Sequence, residues 1–241
     1  MKIFYWSPFI SKVATVSSVI RSAESILKYS KKKNNINVAI IDAIGEWKNY
    51  RKIINPKIEI INLSKKNISE SLPKVGFFKS RLSYALIFAL TFFKLLNLIN
   101  KEKPDYIIAH LLTSLPIFLT LIIKNKTKVI IRISGLPKLN LVRYIFWKLF
   151  SKKIYRVTCP TILTYEYLKK INIFDQNKLF VLRDPVIQLH EFLKKKNEKI
   201  EDLKIEKNNL IISIGRLTRQ KNLILLIRAF KKILIKYPNY H

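Results

Sequence analysis

Cysteine, glycine and acid are all scarce in this chain, and each scarcity closes off a class of protein. The one cysteine, Cys159, has no partner for an internal disulfide, and no Cys/His cluster has zinc-ligand spacing. A reducing compartment fits best, with no structural metal implied. The glycines number 4 and nowhere form G-x-G-x-x-G, which withdraws support from a dinucleotide reading. Acidic residues total 15, and Asp42 and Asp105 stand without a partner at suggestive spacing, so hydrolysis by paired carboxylates is unsupported. The longest uncharged apolar run, from Leu82 to Phe93, falls short of the ~20 residues that span a bilayer. Met1 to Trp6 is followed at once by Ser7-Pro8, so no secretory leader is read there.

What the chain has in quantity is hydrophobic residues and positive charge. At 241 residues and 49% hydrophobic content, it can bury a sizeable core, as one large domain or one domain plus part of another. Lys and Arg number 46, giving a net charge of +31, which favours anionic partners: nucleic acid, phosphorylated small molecules or acidic lipid.

Short β-branched or aromatic bursts at residues 2–6, 37–43, 58–63, 106–110, 128–134, 156–159 and 179–182 lack the alternation of a one-sided sheet. They read as strands buried on both faces. Between them, residues 16–30, 79–100, 115–124, 141–150 and 161–171 carry helical periodicity. Repeated βα units of this kind predict an α/β fold with a Rossmann-like, doubly wound parallel sheet, whose ligands sit at the carboxyl ends of the strands.

A charged stretch over residues 188–208, containing HEFLKKKNEKIEDLKIEK, reads as a solvated linker, in part helical. It separates a domain over residues 1–187 from a second over 209–241, where 210–214 predicts a buried strand and 223–236 a helix ending at Tyr237-Pro238. One βα unit cannot bury its own core, so the second domain is expected to be truncated.

The hinge of that unit is SIGRLTRQKN, from Ser213 to Asn222. Gly215 lacks the Cβ that would keep a ligand from the backbone. Arg216 offers a planar fork for two phosphate oxygens, and Lys221 a compact charge beside the positive end of a helix. Together they suit a diphosphate; the alternative is solvated surface. No second glycine precedes Lys221 and no Ser or Thr follows it, so the Walker pattern is absent.

SIGRLTRQKNLILLIRAFKKILIKYPNY resembles the opening of the carboxyl-terminal domain in GT-B glycosyltransferases of the group-one type. There a glycine-arginine turn and a lysine bind the donor's diphosphate and offset the charge of the departing nucleoside diphosphate. Upstream, KPDYIIAHLLTSLP from Lys103 and RISGLPK from Arg132 are similar to the family's fourth and fifth strands, followed by TCPT and LRDP. The first-strand turn SPFISKVATVSSVI departs from it in lacking glycine, and Ser134-Gly135 stands where many relatives carry a histidine. The acidic pair that relatives use for the donor lies beyond His241. The resemblance implies retaining transfer, without a metal or other cofactor, from a nucleotide-diphosphate sugar to a lipid-linked or polysaccharide acceptor in bacterial cell-envelope synthesis. The expected location is cytoplasmic, at the inner face of the membrane.

Other candidates rest on position. His110, at a strand end, can contact acceptor or transferred sugar, or serve as a hydrogen-bonded structural residue. Ser7 and Ser11 can line an acceptor pocket or cap the first helix. Gly135 permits substrate approach or a tight turn before Pro137. Asp184-Pro185 reads as a turn at a domain edge, His190 as solvent-facing and Cys159 as core. From Asn140 to Arg156, bulky apolar residues alternate with basic ones, as in a helix lying at an acidic membrane surface; from Phe77 to Leu98 the same reading competes with a buried helix. The rival classes are a basic nucleic-acid-binding protein, for which no recognisable module is present and no nucleic-acid partner is expected, and a noncatalytic glycosyltransferase fragment.

Overall fold

A computed structural model of the chain describes residues 1–11, 13–30, 35–73, 77–185, 187–198, 209–215, 217–218 and 221–241, with residues 77 and 78 described by backbone only. The chain divides into two compact units, Met1–Ile187 and Gln188–His241.

The first unit is built on seven strands: β1 (Lys2–Trp6), β2 (Asn37–Asp42), β3 (Ile58–Asn62), β4 (Tyr106–Ala109), β5 (Lys128–Arg132), β6 (Arg156–Cys159) and β7 (Leu179–Val181). All pair in parallel, in the order β3-β2-β1-β4-β5-β6-β7. Both faces of β1 and β2 are buried, as their apolar sequences without alternation predict, whereas β4, β5 and β6, also predicted to be buried on both faces, are fully buried on one face and only partly on the other. On one face, Ile3, Tyr5, Val38 and Ile40 meet Val16, Val19, Ile20 and Ala23 of α1 (Thr15–Tyr29). On the other, Phe4, Trp6, Ile107, Ile131 and Val157 pack under α2 (Phe77–Glu102), α3 (Ser114–Leu119), α4 (Leu141–Phe150) and α5 (Ile162–Ile171). The chain winds outward from β1 to β3, returns through α2, and winds the other way from β4 to β7. The reversal places a topological switch point between β1 and β4.

Several strands stop one or two residues short of their predicted ends. Leu63, His110, Ile133 and Leu182 each still donate an N–H to the neighbouring strand, but the chain turns there and presents the succeeding loop at the sheet's carboxyl edge. α4 and α5 start where sequence chemistry dictates. Asn140 Oδ1 accepts from the Arg143 N–H at 2.9 Å, and Thr161 Oγ1 from the Thr164 N–H at 3.2 Å, both as N-caps. α3 ends five residues earlier than its periodicity predicts, because the Thr120 hydroxyl donates to the Ile117 carbonyl at 2.6 Å and competes with the helical ladder. α2 is longer than predicted: within 79–102 an 18-residue window reaches a mean hydropathy of 1.9, and the helix is long and apolar enough to cross a bilayer. Here Ser83, Ile87, Thr91, Leu95 and Ile99 are buried, one per turn against the core.

The second unit carries α6 (Leu189–Lys196) and α7 (Leu223–Lys236), neither with a buried residue. Residues 210–214, predicted as a buried strand, form none, and Ile212 and Ile214 are exposed. A strand needs partners, and among the described residues this segment has one rung: the Ile211 N–H donates to the His241 carbonyl at 2.7 Å and the His241 N–H to the Asn209 carbonyl at 2.8 Å.

Candidate functional site

The switch point is flanked by Ser7, next after β1, and His110, next after β4. The His110 N–H donates to the Trp6 carbonyl at 2.9 Å, so the backbone register alone sets the histidine beside the serine. The loop after β4 is pinned by the Trp6 indole, whose Nε1–H donates to the Leu112 carbonyl at 3.2 Å. Leu112 has φ 46, a left-handed conformation costly for a residue with a Cβ and held only where surroundings enforce it.

Ser7 and His110 are 0% and 5% exposed. Among the described residues, neither Ser7 Oγ nor His110 Nδ1 has a protein hydrogen-bond partner. A buried polar atom left unpaired costs about 1–3 kcal/mol, and both of these stand at the switch point. The His110 ring lies 5.9 Å from that of Tyr5, whose hydroxyl bonds Ser22 Oγ at 2.7 Å. Burial, and secondarily the Arg132 cation, depresses His110 to about 3; at neutral pH it is an uncharged donor and acceptor. Burial raises Tyr5 to about 12.

Arg132, the last residue of β5, is a buried cation at this edge and is not among the residues singled out by sequence. Its Nη2 donates to the Leu182 carbonyl at 2.8 Å and to Asp184 Oδ1 at 2.6 Å, with Thr158 Oγ1 3.5 Å from Nη1. One guanidinium ties the ends of β5, β6 and β7 together, and Asp184, read from sequence as a turn residue, is its counter-ion. Among the described residues, Arg132 Nε has no protein partner. From His110, Arg132 and Asp184 a groove of about 890 Å³ runs down the sheet face over Ile108, Ile130 and Phe180, where α1 no longer covers the strands.

The remaining acceptor-side candidates are arranged less tightly. Ser11, Ser134 and Gly135 are exposed, the last two at the carboxyl end of β5. α1 is capped at Ala14 without a side-chain bond, so neither Ser7 nor Ser11 caps it. Gly135 has no positive φ, and a Cβ built on it meets nothing within 4 Å; the turn there does not require glycine, and the backbone lies open. Cys159 is buried, as expected of a core residue.

Asp42 has a partner that its spacing did not suggest. At the end of β2 it and Glu46 are both buried. Glu46 accepts from the Ala43 and Ile44 N–H groups at 3.2 and 2.8 Å, and Asp42 from the Gly45 N–H at 2.7 Å. Burial, then the neighbouring Asp42, holds the Glu46 carboxyl well above the ordinary range. Gly45 makes this turn possible: its φ is 91, and a Cβ there would stand 2.8 Å from Asn67 Cα. The described residues contain no group of three His, Cys, Asp or Glu that could hold a metal ion.

In the second unit, the Cγ, Cδ and Cε atoms of Lys221 lie 3.6 Å from the place a Gly215 Cβ would take. The lysine stem rides over the glycine backbone, and the exposed ammonium sits just before α7, whose Asn222 cap makes no side-chain bond. Arg216 lies outside the described residues.

No family model matches the chain. It is 30% identical over 164 residues to an uncharacterized glycosyltransferase of Methanocaldococcus jannaschii, covering 61% of this chain and 40% of that protein. Among solved structures it resembles a glycosyltransferase from Rickettsia africae, with a TM-score of 0.56 at 14% identity over 96% of this chain and 57% of the other. It also resembles the UDP-N-acetylglucosamine 2-epimerase of Rickettsia bellii, with a TM-score of 0.55 at 15% identity over 99% of this chain and 60% of the other. The chain thus spans less than two thirds of each of these proteins. Over the part it spans, the seven-stranded parallel sheet has the Rossmann-like GT-B fold that these structures share.

Proposed function

We propose that this chain is part of a glycosyltransferase that moves a sugar from a nucleotide-diphosphate sugar to a lipid-linked or glycan acceptor. The observation that carries the reading is the pair of buried, unpartnered polar atoms, Ser7 Oγ and His110 Nδ1, on either side of the switch point. Hydroxyl-rich ligands supply the groups such atoms need. His110, being neutral, hydrogen-bonds a hydroxyl of the transferred sugar or the acceptor; Ser7 orients the same group, with Ser134 and Gly135 bordering the acceptor.

In the second unit, Lys221 and Arg216 bind the donor diphosphate and offset the charge that develops as it leaves. The approach of the Lys221 stem to the Gly215 backbone supports that role, as does the name of the Methanocaldococcus relative. By resemblance to the group-one type, transfer retains anomeric configuration and uses no metal. The acceptor belongs to cell-envelope glycan synthesis at the cytoplasmic face of a bacterial membrane.

A second reading, epimerisation of the donor itself, is favoured by one finding: UDP-N-acetylglucosamine 2-epimerases from three organisms share the fold, with TM-scores of 0.55, 0.52 and 0.53. One experiment separates the two. The full chain is incubated with UDP- and GDP-sugars, with and without lipid-linked and glycan acceptors, and products are followed by NMR. Transfer predicts nucleoside diphosphate release coupled to a new glycosidic bond of unchanged anomeric configuration. A C2 epimer formed without acceptor would replace this reading with the second, and no turnover of any sugar nucleotide would remove both.

A further inference from the structure

The helix layer formed by α2, α3 and α4 is apolar on both sides. Its inner side packs on the sheet, and a chain of rings holds the layer together: Phe92 to Phe118 at 6.0 Å, Phe118 to Phe150 at 6.1 Å, and Phe150 to Phe146 at 4.5 Å. Its outer side is solvent-exposed. On α2 the exposed positions between Arg81 and Lys94 are Leu82, Ala85, Leu86, Ala89, Leu90 and Phe93, three turns without a polar side chain. On α4 the exposed stripe Leu141, Ile145 and Leu149 recurs every fourth residue, with Val142 beside it and Leu149 71% exposed. An apolar helix face of this length turned to water marks an interaction surface.

Charge says what covers it. Between Glu70 and Glu166 the sequence holds two acids, Glu102 and Asp105. Both are engaged with Lys2 at the opposite, amino-terminal edge of the sheet: Glu102 Oε2 lies 2.8 Å from Lys2 Nζ, and Asp105 Oδ2 accepts from the Lys2 N–H at 2.7 Å. The cations around the apolar stripes, Lys94, Arg143, Lys148, Lys152 and Lys153, are all exposed. Arg143 donates to the Lys138 carbonyl at 2.9 Å and Lys148 to that of Asn172 at 3.2 Å, so neither has spent its charge on a carboxylate there. A second copy of the same face is a poor cover, because two-fold pairing would set cations against cations.

We infer that the outer face of α2 and α4 docks on an anionic lipid bilayer, its apolar stripes entering the interface while the flanking Lys and Arg meet phosphate headgroups. α2 lies along the surface and does not cross it. Leu141 and Val142 open α4 just beyond the carboxyl end of β5, the edge where Ser7 and His110 stand, so docking brings that edge close to the headgroups. The inference holds whichever sugar is moved.

Flotation of the full chain with phosphatidylcholine vesicles, and with equimolar phosphatidylcholine and phosphatidylglycerol vesicles, tests it. The chain floats with the anionic vesicles and not with the neutral ones, and its partition falls as salt rises. Phe93→Ser with Leu149→Ser, and separately Lys152→Glu with Lys153→Glu, each lower that partition at least tenfold. Both pairs are exposed, so their circular dichroism and unfolding midpoint stay those of the parent. Equal partition of parent and variants, or no flotation with anionic vesicles, overturns the inference. A concentration-dependent dimer in light scattering that Phe93→Ser with Leu149→Ser abolishes would also overturn it, by assigning the face to a second copy.

Discussion

Replacing His110 by Gln removes an imidazole that the fold keeps neutral, and its surroundings set the consequence. His110 is 5% exposed beside Tyr5, and burial depresses it from 6.5 to about 3. Between those values the unfolded chain binds a proton that the folded chain refuses, so folded-state stability falls as pH drops through 6.5 and recovers as pH rises. Each pH unit inside that window is worth about 1.4 kcal/mol, which sums to about 2 kcal/mol between pH 7 and pH 5 once the partial protonation near 6.5 is included. Glutamine does not titrate. The difference in unfolding free energy, His110→Gln minus parent, therefore grows by about 2 kcal/mol over that interval, whatever its value at pH 7. Glu46, raised by burial, pulls the other way but is common to both proteins and cancels. Urea unfolding followed by tryptophan fluorescence reads this directly, since Trp6, Trp47 and Trp147 are all buried in the first unit. A difference that stays flat from pH 7 to pH 5 would refute the claim that His110 is held neutral.

Other perturbations draw on the same geometry. Asp184→Ala strands the buried Arg132 cation and costs about 3 kcal/mol in urea unfolding; a cost like that of an ordinary surface change would show that the pair is not formed. Gly45→Ala forces a Cβ against Asn67 in a left-handed turn and destabilises by at least about 2 kcal/mol; a neutral effect would contradict the turn. In filter binding at two salt concentrations the full chain retains neither RNA nor DNA at the higher salt, and tight salt-resistant retention would restore the nucleic-acid reading.

Where local chemistry decides structure, the sequence was enough. β1 and β6 begin and end as their β-branched and aromatic runs predict, and α4 starts at the Asn140 cap and stops at Phe150. The position of His110 at a strand end was legible for the same reason. Its burial with an unpaired Nδ1 was not, because that depends on β1 and β4 lying side by side although about a hundred residues separate them. Arg132 was missed because a cation ending an apolar strand looks like a solvated terminus until Asp184, 52 residues on, is seen folded back over it. The Asp42–Glu46 pair escaped because four-residue spacing suggests a helix face, whereas a left-handed Gly45 brings the two together in a turn. Residues 210–214 have a strand's composition, yet pairing is a property of neighbours and not of the segment.

The central claim, that this chain handles a nucleotide-diphosphate sugar, is tested most directly by calorimetric titration with UDP- and GDP-sugars of the parent chain, Lys221→Ala and Arg216→Ala. The account predicts saturable binding of at least one donor to the parent. It predicts that each substitution weakens binding by about 1.5–3 kcal/mol, roughly ten- to hundredfold. No binding of any sugar nucleotide, or an affinity unchanged in both variants, would contradict it.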